Sequence, residues 1–340
     1  MRCQSAVFNL PWRIAASFLW HHLFAYKLAH VVILRGKPTS ARSTRIKAAG
    51  SATDAPAWVR LLIGDAIETS VGGVRCLESA EFCLASLRLP AADAMDGLVL
   101  ERAGEEAYRA LRGSLHRSTP WHPLRIWNFV PGILADGQGG MDRYMRFNAG
   151  RYRAFAEWFG GAQRFDHSLP TASAVGHGGS DLVVHTLAAR EPGESIANPR
   201  QVDPHHYSRR FGPLPPCFAR AIRVHRSQSP DLLLVGGTSS VRGEDSVHVG
   251  NLDLQLAETL ENLAALSRQA FGPSDTPLDR FRELRVYHFG ASDLRPLRAA
   301  VERAFPSISG IEWVRAELCR GDLLVEIEGL AEANSNNLRV

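Results

Sequence analysis

The stretch Leu252–Phe271, LDLQLAETLENLAALSRQAF, decides the fold reading. Leu256, Leu260, Leu263 and Leu266 fall on one stripe at helical spacing, which predicts a long amphipathic helix with one face against a core. Upstream, Phe218–Val224 and Leu232–Val235 are apolar runs separated by a polar turn, and both read as strands. Downstream come a strand at Phe281–Phe289, a helix at Leu294–Phe305, and a final strand pair at Ile311–Leu318 and Leu323–Ile327. The order β-β-α-β-α-β-β predicts an α+β unit, a mixed sheet with helices over one face.

Towards the N-terminus, Trp58–Ile63 reads as a short strand. Glu105–His116 reads as a helix carrying Ala107, Leu111 and Leu115. Leu124–Val130 is strand-like and ends at Pro131, and Met141–Phe159 is helical with a break or bend near Gly150. Thr171–Val175 and Leu182–Ala188 are further strand candidates. A Pro-rich stretch, Glu191 to Pro216, is long for a mere connection and is therefore a candidate binding loop. The expected organisation is an extension and linker over 1–56, an N-terminal α/β domain over 57–200, a C-terminal domain over 201–332, and a tail over 333–340. No internal repeat, P-loop or GxGxxG opening a helix is present.

A chain of 340 residues, 45% hydrophobic and 22% charged, has the composition of an ordinary globular protein. Its net charge is +4, with the basic residues dispersed rather than in blocks. That favours small anions over nucleic acid as partners. The five cysteines (Cys3, Cys76, Cys83, Cys217, Cys319) form no CxxC pair, and no Cys/His cluster has zinc-ligand spacing. No disulfide, metal or cofactor is expected, and a reducing cytoplasm suits the chain. Residues Ile14 to Leu34 are mostly apolar, but Lys27, His21, His22 and His30 interrupt them and make membrane insertion costly. A membrane anchor is the minority reading. The whole extension is expected to be non-essential, with Arg35 to Asp54 as linker.

Arginines carry the candidate chemistry. In Met141–Phe159, Arg143, Phe147 and Arg151 follow at i, i+4, i+8 and share one helix face, flanked by Tyr144 and Asn148. Arg200 lies in the long loop, and Arg220 starts a strand that should be mostly buried. A buried arginine needs an anion, either a structural carboxylate or a bound one, and its planar fork suits bidentate carboxylate recognition. The helix alone is equally compatible with arginine stems laid over a core. Gly236-Gly237-Thr238-Ser239-Ser240 follows an apolar strand, and such a turn presents N–H groups and hydroxyls to a ligand. In Val325-Glu326-Ile327-Glu328 the two glutamates share a strand face. On a solvated sheet they would be ordinary surface charges. In a cleft, Glu326 would be desolvated and become a general acid near neutral pH. Cys319 has no sequence-local base and reads as a buried or pocket-lining thiol. His185, His205 and His206 lack metal-ligand spacing.

These pieces resemble the chorismatase family, which includes chorismate-hydrolysing enzymes and 3-hydroxybenzoate synthases. The matching segments are Trp127–Ile133, Arg143-Tyr144 through Asn148–Arg151, Asn198–Gln201, Tyr207, Phe211–Pro213, Phe218–Ala221, Gly237–Ser240 and Leu318–Arg320. The likeness runs from about Trp58 to about Leu330. The C-terminal unit also resembles the RidA/YjgF fold, whose last strand carries the Val-Glu-Ile-Glu motif.

The resemblance implies that Arg143, Arg151 and Arg220, with Tyr207, hold the carboxylates of chorismate. Tyr144, Arg200, Gly237, Thr238 and Ser239 complete the binding set. Glu326 would protonate the methylene of the enolpyruvyl group. Cys319 and Ser239 would steer the outcome, with 3-hydroxybenzoate favoured, 4-hydroxybenzoate beside it, or hydrolysis to a dihydrodiol. A RidA-like imine deaminase and a non-enzymatic binder of small anions are the other classes, and monomer and homo-oligomer both stay open.

Overall fold

Side-chain alternation along two sheets sorts this chain into four layers. The structure, a computed structural model, describes residues 45–46, 51–117, 119–290 and 293–334. The segment from Ile14 to Leu34 and the tail beyond 334 lie outside the described residues.

In chain order the elements begin with β1 (Arg45–Ile46), α1 (Ala57–Ile63), β2 (Ile67–Val71), β3 (Val74–Glu78) and β4 (Phe82–Leu89). Then come α2 (Gly97–Leu115), β5 (His122–Pro131), α3 (Arg143–Phe159), α4 (Phe165–Ser168), β6 (Thr171–His177) and β7 (Leu182–Ala189). The remainder holds β8 (Glu194–Ile196), β9 (Ala221–Val224), β10 (Leu232–Ser239), β11 (Val241–Arg242), β12 (Asp245–Ser246) and α5 (Leu252–Phe271). It closes with β13 (Phe281–His288), α6 (Arg295–Ala304), β14 (Gly310–Arg315) and β15 (Val325–Glu332).

Two mixed sheets result. One has six strands in the order β2-β3-β4-β7-β5-β6, and the other seven in the order β1-β14-β13-β15-β10-β9-β8. On β5, Ile126 and Val130 point into the core under α2 and α3. The alternate residues Trp127 and Phe129 point the other way, into a layer shared with Ile222, Leu234, Tyr287 and Leu330 of the second sheet. The far face of that second sheet, through Val325 and Ile327, packs on Leu256 and Leu263 of α5 and Leu297 of α6. Helices therefore cover one face of each sheet, and the bare faces cover each other. Glu326 and Glu328, sharing their face of β15 with Leu330, look into the inter-sheet layer and are 4% and 1% exposed.

The C-terminal order matches the expected β-β-α-β-α-β-β, with one correction. The last two strands are not partners, because β13 lies between β14 and β15. Three further differences have physical reasons. Trp58–Ile63 is a helix, since Trp58, Val59 and Ile63 bury while Arg60 and Leu61 stay in solvent, an i, i+4 pattern rather than an alternation. Helix α3 runs unbroken through Gly150, where an added Cβ would stand 2.0 Å from Glu101 O of α2. That glycine serves helix contact, not a bend. Ordered structure also begins before residue 57: β1 pairs in parallel with β14. The backbone carbonyls of Thr53 and Asp54 contact His185 Nε2 and accept from Arg285 Nη1, each at 2.8 Å. No helix among the described residues is long and apolar enough to cross a membrane.

Candidate active site

Strand β10 contains one extra residue against β15, with its register shifting between Val235 and Thr238. The bulge holds Gly236 and Gly237. A Cβ on Gly236 would stand 2.4 Å from Thr171 Oγ1 of the first sheet, and one on Gly237 would stand 2.0 Å from Glu326 Oε1. At Gly236 a larger residue would also meet the backbone of Ala172 at 2.8 Å, and at Gly237 it fits only if the Glu326 carboxyl moves. The bulge so leaves room for the Glu326 carboxyl inside the molecule.

Glu326 sits on β15 between Ser239 of β10 and Tyr287 of β13. Its Oε2 accepts a long hydrogen bond from Ser239 Oγ, 3.5 Å, and Oε1 has no partner among the described residues. Burial, reinforced by the charge of Glu328, pushes its carboxyl up to about 8. Glu328 itself is held by Arg125 Nη2 at 2.5 Å, Trp127 Nε1 at 2.7 Å and Ser173 Oγ at 2.8 Å. All three donors come from the first sheet.

The Glu326 carboxyl opens onto a cavity of about 470 Å³. Gly237, Ser239 and Cys319 line it beside the carboxyl, and Tyr144, Tyr207 and Arg220 line the walls. Arg220 Nη2 donates to Tyr207 Oη at 2.7 Å and to Val202 O at 2.5 Å, while its Nε has no partner. Arg151, 1% exposed, lies behind Tyr144 and Phe218. It donates to Asn148 Oδ1 at 2.7 Å and leaves Nε unpartnered. Among the described residues neither arginine has a carboxylate within 4.0 Å. A desolvated guanidinium without an anion is costly, so an anion would be well placed here. Burial pushes the Cys319 thiol up to about 12, which favours the protonated form in the cavity wall.

The family model described as Chorismatase FkbO/Hyg5-like, N-terminal, matches residues 63–188. A 3-hydroxybenzoate synthase of Streptomyces hygroscopicus is 35% identical over 216 residues, covering 61% of this chain and 62% of that protein. A chorismatase of the same organism is 31% identical, covering 62% of each. The chain thus spans somewhat under two thirds of the length of the curated relatives it matches. A chorismatase crystal structure superposes with a TM-score of 0.65 and 26% identity over 78% of both chains.

The chain is similar to chorismatases in sequence and in fold.

Against the expectations for a chorismatase, the structure brings Glu326, Cys319, Tyr144, Tyr207, Arg220, Gly237 and Ser239 around one cavity. Arg143 does not join them. Its Nε, Nη1 and Nη2 donate to the carbonyls of Pro131, Met95 and Ala92 at 3.0, 2.7 and 2.6 Å, so all three nitrogens are committed to backbone. Arg200 is also occupied, by Asn262 Oδ1 at 2.8 Å and Glu258 Oε1 at 2.6 Å. The Thr238 hydroxyl turns back onto Gly236 O at 3.0 Å and secures the bulge rather than facing the cavity. Arg320 lines the cavity and had no place in the expected set, although it adjoins Cys319. Its guanidinium lies 4.2 Å from the Phe211 ring and 5.3 Å from that of Tyr207, and donates to Glu244 O at 2.8 Å. The Arg125–Glu328 pair was likewise unforeseen, because its members are 203 residues apart.

Proposed function

We propose that this chain cleaves chorismate to pyruvate and a hydroxybenzoate, with 3-hydroxybenzoate the favoured product. The carrying observation is the buried Glu326 carboxyl, which keeps its proton at neutral pH and opens onto a cavity walled by Arg220. Chorismate presents two carboxylates and an enolpyruvyl ether, a match for cationic walls beside a single acid.

In this reading Arg220 and Arg320 receive carboxylates from the cavity side, and Arg151 adds a positive field from behind Tyr144 and Phe218. Glu326 gives its proton to the enolpyruvyl methylene carbon, and the ether oxygen's lone pair supports the resulting oxocarbenium ion. A carboxylate fixed by arginine stays beside that cation, and the geometry replaces an encounter with a positioned contact. Attack by a hydroxyl of the substrate ring leads on to the aromatic hydroxybenzoate. Attack by water instead releases pyruvate and the dihydrodiol. Ser239 and Cys319 stand beside the acid and are the residues proposed to bias that choice.

The test is incubation of the purified full chain with chorismate, following pyruvate enzymatically and aromatic products by chromatography. Pyruvate with 3-hydroxybenzoate is the expected result. Tight chorismate binding without pyruvate would mean a binding protein, and turnover of imino acids alone would mean a deaminase.

A further inference from the structure

Asp166 and the pair His205-His206 lie 39 and 40 residues apart in sequence, yet the fold brings them to one spot on the surface. Asp166 belongs to α4, and the two histidines end a short turn of 3-10 helix, Pro204–His206. Asp166 Oδ1 stands 2.7 Å from His205 Nε2 and 3.6 Å from His206 Nε2. One ligand atom from each of the three lies within 4.8 Å of the other two. Two ligands on one tetrahedral zinc ion, with bonds of about 2.1 Å, stand ~3.4 Å apart, so only small side-chain adjustments separate this cluster from a coordination shell.

We propose that Asp166, His205 and His206 form a binding site for a divalent transition-metal ion. Two imidazoles and a carboxylate select zinc, nickel or copper over magnesium and calcium, which prefer oxygen ligands throughout. The site is partly organised in advance. The His205 side chain is only 8% exposed, and its ring meets Phe165 edge-on at 6.0 Å. His206 and Asp166 are 59% and 50% exposed, leaving solvent-side positions for water ligands. A second trio, Cys76, Glu78 and Cys83, also lies within 4.8 Å. There, however, Glu78 Oε1 already accepts from Arg117 Nη2 at 2.7 Å, and a guanidinium in that place repels a cation.

The ion would also tie the proposed substrate cavity to the first half of the chain. Tyr207 follows His206 directly and lines the cavity wall. A metal bridge from α4 to this turn would therefore pin that wall.

Metal uptake by tag-free full-length protein tests the site without reference to catalysis. The probes are Zn²⁺ and Ni²⁺ by isothermal titration calorimetry, with Mg²⁺ as the contrasting ion. The chain holds 13 histidines, so the difference between wild type and variants is decisive rather than total uptake. His206→Ala and Asp166→Asn change exposed side chains and should fold as wild type by circular dichroism. Each should weaken one equivalent of Zn²⁺ binding by at least ~10-fold. Uptake unchanged in both variants, or preference for Mg²⁺, would overturn the assignment.

Discussion

Glu326 and Glu328 share one face of β15, two residues apart, but among the described residues only Glu328 has a guanidinium against its carboxylate. Arg125 reaches it at 2.5 Å, and Glu326 is left with a single long contact to Ser239 at 3.5 Å. Burial, with the neighbouring Glu328 adding to it, raises the Glu326 carboxyl. Paired carboxyl groups in unequal surroundings can be given different tasks on one strand.

Glu326→Gln should lower kcat by roughly 10²–10⁴-fold, the usual contribution of a general acid, while chorismate still binds. Because the acid must be protonated, wild-type kcat/KM should be flat below about pH 8 and fall above it. A rate rising through that pH would assign Glu326 the opposite role. The same shift bears on stability. The folded value lies above the ordinary 4.5, so this contribution is complete below about 4.5 and is lost as pH rises through about 8.

Arg220→Ala and Arg143→Ala should separate cleanly. The first should raise KM or the dissociation constant for chorismate, on the order of tenfold or more for a lost charge-assisted contact. The second strips three backbone carbonyls of their donor and should cost at least ~2 kcal/mol of stability. Thermal unfolding and steady-state kinetics on both variants check this. A binding defect in Arg143→Ala at unchanged stability would restore it to the site.

Gly237→Ala puts a methyl group where the Glu326 carboxyl lies. The carboxyl is the far end of a flexible side chain, so it should swing aside and leave the fold intact. A misplaced acid of this kind should reduce kcat by about 10²-fold. Near-normal kcat with unchanged thermal stability would show that the carboxyl's position is not critical.

Cys319→Ala should alter the ratio of 3-hydroxybenzoate to other products more than it alters the rate, since the thiol lines the cavity and burial favours its protonated form. Chromatography of the products at matched conversion reads the ratio. A constant ratio would remove Cys319 from product choice.

A chain started at Ala57 should be less stable than one started at Thr44. It lacks β1 and the carbonyls of Thr53 and Asp54 that meet His185 and Arg285. Each stranded partner costs about 1–3 kcal/mol, visible as a lower Tm. Equal Tm values would make these contacts dispensable.

How much of this was legible follows from how local each signal is. Leu252–Phe271 reads with its observed bounds because an apolar stripe at helical period is a strong pattern. Strands β2 and β3 went unread because β2 is almost wholly outside the core and β3 only half inside, so neither shows an apolar run; β4 is apolar and mostly buried, and its signal was passed over. Arg220 and Glu326 stood out as charges within apolar strands. Arg143 stood out as well, but its role did not, because carbonyls 12 to 51 residues distant satisfy it. Arg125 left no trace in the sequence, and Glu328 showed only as a second glutamate on the strand face of Glu326, since each looks like a surface charge until its partner is known.

The pair they form joins the two halves of the chain, with Arg125 supplied by the first sheet and Glu328 by the second. In the proposed reading, the acid at Glu326 therefore depends on both halves. A hybrid that grafts the first sheet of one relative onto the second sheet of another inherits poised acidity only if both positions travel together. Where they do not, one stranded charge is entombed at the seam, and the two positions are expected to change in concert as sequences diverge.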